Sequence, residues 1–60
     1  MDSAYIIKQL TSAGWEHVST RGSHRKYRHR ATGRSVIVPH PKKDLPTGTA
    51  NAILKQADLK

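Results

Sequence analysis

Ten residues from Arg21 to Arg30 read Arg-Gly-Ser-His-Arg-Lys-Tyr-Arg-His-Arg, with five Arg or Lys side chains and two histidines among them. Histidine moves protons near neutral pH, since its reference pKa is about 6.5. A cluster of cations attracts a polyanion and stabilises charge developing on phosphorus. Together these suit cleavage of an RNA strand by its own 2′-hydroxyl. That reaction requires a base for the hydroxyl, an acid for the leaving oxygen and positive charge at the phosphorane. His24 is the candidate acid–base residue, because Gly22-Ser23 sets it at a junction between turn and strand. Backbone N–H groups of Gly22 and Ser23 at such a junction can contact phosphate. Arg25, Lys26 and Arg28 are candidates for the electrostatic role, and Lys42-Lys43 for widening the phosphate-binding rim. The second proton-transfer group stays open among His29, His40 and Tyr27.

Sixty residues, with no cysteine and a net charge of +7, narrow the rest. The length suits a single domain over residues 1–60, with no disulfide framework and no thiolate metal site. A chain of this size buries only about 60% of its unfolded surface, so its core is small. The charge points to nucleic acid. A membrane is the poorer partner, because no apolar run approaches the ~20 residues of a span, and the basic residues fall outside the helical stretches. The start lacks the charged and apolar segments of a signal peptide, which gives a cytoplasmic expectation. Histidines at 17, 24, 29 and 40, without a cysteine or carboxylate cluster, match no metal-binding spacing. No metal or other cofactor is expected.

The elements that must hold these residues follow from periodicity. Ile6, Ile7, Leu10 and Ala13 share one helical face, with Asp2 or Ser3 as the cap and Gly14 after the end. This predicts a helix over residues 3–13. Strands are predicted over 15–20, 24–30 and 34–39, with turns at Arg21-Gly22-Ser23 and Ala31-Thr32-Gly33. Pro39 ends the third strand. A helix over 47–57 follows, capped by Thr47, with Ala50, Ile53, Leu54 and Ala57 at i, i+3, i+4 and i+7. The expected class is α+β in the order α-β-β-β-α: a three-stranded antiparallel sheet, second strand central, both helices on one face. Strand alternation puts His24, Lys26, Arg28 and Arg30 on one parity and Arg25, Tyr27 and His29 on the other. The first set carries too much like charge for a core and should face solvent. Tyr27 should point at the helices, Trp15 should fill the core, and His17 should be a half-buried strand residue.

The assembled motifs resemble the HicA family of toxin–antitoxin mRNA interferases. They run in order as Gly14-Trp15, Gly22-Ser23-His24 with Tyr27, and Val36-Ile37-Val38-Pro39-His40. Pro41-Lys42-Lys43-Asp44-Leu45-Pro46, Gly48-Thr49 and Ile53-Leu54-Lys55-Gln56-Ala57 follow. The resemblance implies a double-stranded-RNA-binding-like fold and metal-independent mRNA cleavage by the histidine matching His24. It also implies a cognate HicB-like antitoxin that covers His24. One departure is visible: Asp58 stands where the family's closing Lys-Gln-Ala-Gly-Leu has glycine. Asp takes left-handed backbone less readily, and its charge opposes the helix dipole. The competing reading is a non-catalytic double-stranded-RNA-binding module. Against it, Thr47-Gly48-Thr49-Ala50-Asn51 lacks the lysine run such modules carry at the start of their last helix. A DNA-binding accessory protein is disfavoured because neither helix has a basic reading face.

Overall fold

A computed structural model describes all residues from Met1 to Lys60. The order is α1 (Ser3–Ser12), β1 (Trp15–Arg21), β2 (His24–His29), β3 (Ser35–Pro39) and α2 (Thr47–Gln56). The strands form one antiparallel sheet in the order β1-β2-β3, so the basic strand lies in the centre. The α-β-β-β-α expectation holds, and each element ends within a residue or so of its predicted bounds.

Helix α1 starts where the Asp2 carboxylate accepts from the Ala4 N–H at 2.9 Å. Ser3, the other predicted cap, has a different job. It is fully buried, its Oγ accepts from the Lys42 N–H at 2.9 Å and lies 2.8 Å from His40 Nδ1, and its N–H donates to the Lys42 carbonyl at 2.9 Å. The 40–45 loop is thereby fastened to the front of α1. At the other end Gly14 takes φ +97°, and a Cβ there would meet His29 Nε2 at 3.2 Å. Glycine is required here twice over, for the left-handed backbone and for the close approach of the histidine ring.

The core contains Ile6 and Leu10 of α1, Ala50, Ile53 and Leu54 of α2, Ala57 just beyond it, and Leu45. Trp15, Tyr27, Val36 and Val38 meet them from one face of the sheet. Both helices therefore cover a single face. Tyr27 is 2% exposed at the middle of the central strand. Burying a side chain of this size stabilises by about 1.5–3 kcal/mol, a large share of what a chain of 60 residues can hold.

Three sequence expectations need correction. Thr47 does not cap α2; Pro46 occupies that position without a side-chain bond, and Thr47 is the first helical residue. Arg21 belongs to β1 rather than to the turn, which is the two residues Gly22-Ser23 with Gly22 at φ +59°. His17 is exposed rather than half-buried, although its ring lies 5.5 Å from that of Tyr27. The register explains the second. His17 pairs with Tyr27 and Ser19 with Lys26, so Val18 is an extra residue in β1. This bulge shifts alternation by one and sends Ser19 and Arg21 to the uncovered face.

The end of α2 answers the question raised by Asp58. Its φ is +59°, the Leu59 N–H donates to the Leu54 carbonyl at 2.8 Å, and the Asp58 N–H donates to Lys55 at 3.1 Å. This is a complete Schellman closure. Arg34 reaches it from the base of β3, donating to Asp58 Oδ2 and to the Gln56 carbonyl, both at 2.7 Å. The guanidinium offsets the carboxylate that would otherwise oppose the helix dipole.

Candidate active site

The register builds the uncovered face as three rows across β1, β2 and β3. Arg21, His24 and Pro39 form the first, Ser19, Lys26 and Ile37 the second, and Glu16, Arg28 and Ser35 the third. The first two rows border a depression of about 580 Å³ lined by Ser19, Thr20, Arg21, His24, Lys26 and Ile37. His24 sits at its turn end, where the tight Gly22-Ser23 connection fixes the strand ends. The His40 N–H donates to the Ser23 carbonyl at 2.6 Å, which anchors the same turn to the end of β3. Space above Gly22 is open, with no atom within 4 Å of where a Cβ would stand. A ligand backbone has room there.

The four histidines have different surroundings. His17 Nε2 lies 2.6 Å from the Thr20 hydroxyl. His29 accepts from the Ala31 N–H at Nδ1, 3.2 Å away, which leaves its Nε2–H to donate to the Ala13 carbonyl at 3.0 Å. Its ring stands edge-on to Trp15, with centroids 5.3 Å apart at 77°. His40 Nδ1 is bonded to Ser3 Oγ, and since that oxygen already accepts from Lys42, its hydroxyl proton is free to go to the imidazole. His24 alone makes no side-chain hydrogen bond and is exposed on the uncovered face. Both of its ring nitrogens are available to a ligand.

Charge on that face is largely unpaired. Arg30 forms an ion pair with Glu16 at 3.3 Å, and the other ion pair is Arg34–Asp58. Arg21, Lys26 and Arg28 have no carboxylate partner, so their charge is directed at whatever lies on the sheet.

The structure groups the sequence candidates unevenly. His24, Lys26 and Arg28 share the uncovered face, with Gly22 and Ser23 at its edge. Arg25 lies on the opposite parity, paired with Thr20 and the buried Val38, and is half-buried. Lys42 and Lys43 are exposed on the 40–45 loop and do not line the His24 depression. Of the candidates for a second proton-transfer group, His29 has both nitrogens occupied, Tyr27 is buried under the helices, and His40 follows β3 with one nitrogen tied to Ser3. Arg21 was missing from the sequence-derived set. The signal was present, since a two-residue turn at Gly22-Ser23 necessarily sets Arg21 opposite His24.

Comparison with known proteins adds two findings. A family model described as "HicA toxin of bacterial toxin-antitoxin" matches residues 4–59. A solved chain from the "HicA3 and HicB3 toxin-antitoxin complex" is 30% identical and superposes with a TM-score of 0.77, the match covering 100% of this chain and 97% of that one. No curated protein sequence matches the chain significantly.

Proposed function

The chain belongs to the HicA family of toxins of bacterial toxin–antitoxin systems, and we propose that it acts as an mRNA endoribonuclease with His24 as its proton-transfer residue. One observation carries this reading: the only histidine with both nitrogens free lies in an open depression beside two unpaired cations, Arg21 and Lys26. His24 takes the proton of an RNA 2′-hydroxyl, and that oxygen attacks the adjacent phosphorus. The bond to the 5′ oxygen of the next nucleotide breaks, that oxygen takes a proton from solvent, and the His24 imidazolium returns its own proton to solvent. The products are a 2′,3′-cyclic phosphate and a free 5′-hydroxyl. Lys26 and Arg28 hold the phosphate backbone and offset the charge that builds on the phosphorane. The reaction needs no metal on this reading, so cleavage should persist in a chelator.

The partner follows from the same surface. A chain of +7 with an uncovered cationic face suits a HicB-like antitoxin that lays carboxylates over Arg21, Lys26 and Arg28 and covers His24. The 30%-identical relative, from a toxin–antitoxin complex, supports that kind of assembly.

The test is His24→Ala assayed on RNA with purified, folded protein. The His24 side chain is exposed and makes no hydrogen bond, so stability should change by no more than about 0.5 kcal/mol. Cleavage should fall by about 10²–10⁴-fold. A single 2′-deoxy nucleotide at the cut site should block that bond alone. Wild-type protein that binds RNA and leaves it intact would instead be a binding module, and an alanine variant that cuts at the wild-type rate would remove His24 from the chemistry.

A further inference from the structure

The uncovered face is not uniform from side to side. Along β1 it presents Arg21 and Ser19, along β2 His24 and Lys26, and along β3 Pro39 and Ile37. Ile37 is 48% exposed at the β3 edge of this face, opposite Lys26, and lies outside the core. Solvation alone would favour a polar residue there, as at Ser35 in the same strand. Across β1, Arg21 stands directly opposite His24, and side chains paired in this way have Cβ atoms about 4.5–5.5 Å apart. That spacing lets a guanidinium and an imidazole reach the same phosphodiester. Arg21 is exposed and has neither an ion pair nor a hydrogen bond to hold it elsewhere. Polarity therefore runs in one direction, from a cation at β1, through the histidine, to an apolar edge at β3.

A ribonucleotide has the same order. Its 3′-phosphate and its base lie on either side of the ribose, and the 2′-hydroxyl sits between them. We propose that the His24 depression is a two-sided nucleotide subsite in which Arg21 grips the non-bridging oxygens of the scissile phosphate and Ile37 seats the base of the nucleotide that supplies the 2′-hydroxyl. The inference rests on the endoribonuclease reading and adds the direction in which the strand crosses the sheet. Arg21 serves as a catalytic residue, its fork matching two phosphate oxygens in a way that a lysine's point charge does not. Ile37 serves specificity. Its contact is apolar, so it favours an intact base without reading hydrogen-bonding edges.

The experiment uses a short RNA with one cleaved bond and a second version that is abasic at the nucleotide 5′ to that bond, with its 2′-hydroxyl kept. Wild type, Arg21→Gln, Arg21→Lys, Ile37→Ser and Lys8→Gln are compared at saturating and limiting substrate. Lys8, exposed on α1, controls for general charge. Arg21→Gln should lower kcat about 10²-fold, Arg21→Lys should recover only part of it, and Lys8→Gln should leave kcat unchanged. Ile37→Ser and the abasic substrate should each lower kcat/KM by about tenfold, and together by about tenfold rather than a hundredfold, since both remove the same contact. Penalties that multiply would overturn the base seat, and equal kcat for Arg21→Gln and Lys8→Gln would overturn the phosphate grip. Either result, with wild type cutting and His24→Ala inactive, defeats this inference alone. A wild type that cuts neither substrate defeats the endoribonuclease reading and this inference with it.

Discussion

The central strand carries histidines at both ends, and its two faces treat them in opposite ways. His29, on the helix side, has both ring nitrogens bonded to backbone and its edge against Trp15. His24, five residues earlier in the sequence, faces the uncovered side with no side-chain hydrogen bond. The same division runs along the strand: Tyr27 is sealed under α1 and α2, while Lys26 and Arg28, its neighbours on either side, stand on the uncovered face. Side-chain type does not separate a structural histidine from a reactive one here. Parity in a strand with only one face covered does. The helices meet the needs of one face so fully that the other is left free to hold groups that would be intolerable in a core.

If that division is real, substitutions on the two faces should fail in different assays. Tyr27→Ala should have the largest effect, a loss of about 3–5 kcal/mol from an emptied core site. Total stability for a chain of this length is on the order of 3–9 kcal/mol, so much of the protein should be unfolded at 37 °C. Urea unfolding measures it directly, and a midpoint near wild type would mean that the helix-side face is not the core. His29→Ala should come next. Losing two hydrogen bonds and the contact with Trp15 should cost about 1–3 kcal/mol, with cleavage per folded molecule unchanged. A variant that stays stable but stops cutting would make His29 the second proton-transfer group and blur the distinction between the faces.

The cations sharpen the contrast at smaller energy. Lys26→Gln and Arg28→Gln should each reduce the slope of log affinity against log salt by about 0.7 on single-stranded RNA. Arg25→Gln, one residue away on the opposite parity, should leave the slope as it is. Fluorescence anisotropy over a salt series separates these outcomes. A slope that falls for Arg25 and holds for Lys26 would move the binding surface to the rim near the helices.

Much of this arrangement was legible in the sequence because it depends on local periods. The apolar spacing of Ile6 and Leu10 or of Ile53 and Leu54 marks helices, and the alternation around Tyr27 marks a half-covered strand. Gly22-Ser23-His24 placed the histidine at a strand start without any tertiary information. The features that escaped the reading arise from pairing between segments. The bulge at Val18 exists only because β1 has one residue more than β2 across the same span, and nothing local in Glu16-His17-Val18-Ser19 announces it. That one residue decides that Trp15 and His17 share the helix side with Tyr27, although Ser19 and Arg21 of the same strand face the uncovered side. The link from Ser3 to His40 and Lys42 spans 37 and 39 positions, beyond any periodicity argument. The family resemblance likewise marked Asp58 as a departure but gave no view of Arg34.

Asp58 also offers the smallest test of the two-face picture, because a change at the end of α2 should alter stability and leave cleavage untouched. Asp58→Gly removes a non-glycine residue from φ +59°, which favours the variant. It also removes the ion pair with Arg34, whose side chains are 50% and 79% exposed, and such exposed pairs contribute only about 0–1 kcal/mol. A third term opposes the change, since glycine has more conformational freedom to lose on folding, by roughly 0.4–1 kcal/mol. These contributions nearly cancel, so the net change should lie within about 1 kcal/mol, a Tm shift of no more than about 4–8 °C for a domain of this size. The informative quantity is therefore the coupling. Arg34→Met should destabilise wild type more than it destabilises Asp58→Gly, by about 0.2–1 kcal/mol in a double-mutant cycle. Part of its effect should survive in both backgrounds, because Arg34 also donates to the Gln56 carbonyl. Zero coupling would mean that Arg34 acts through that carbonyl alone and that Asp58 holds its left-handed turn unaided.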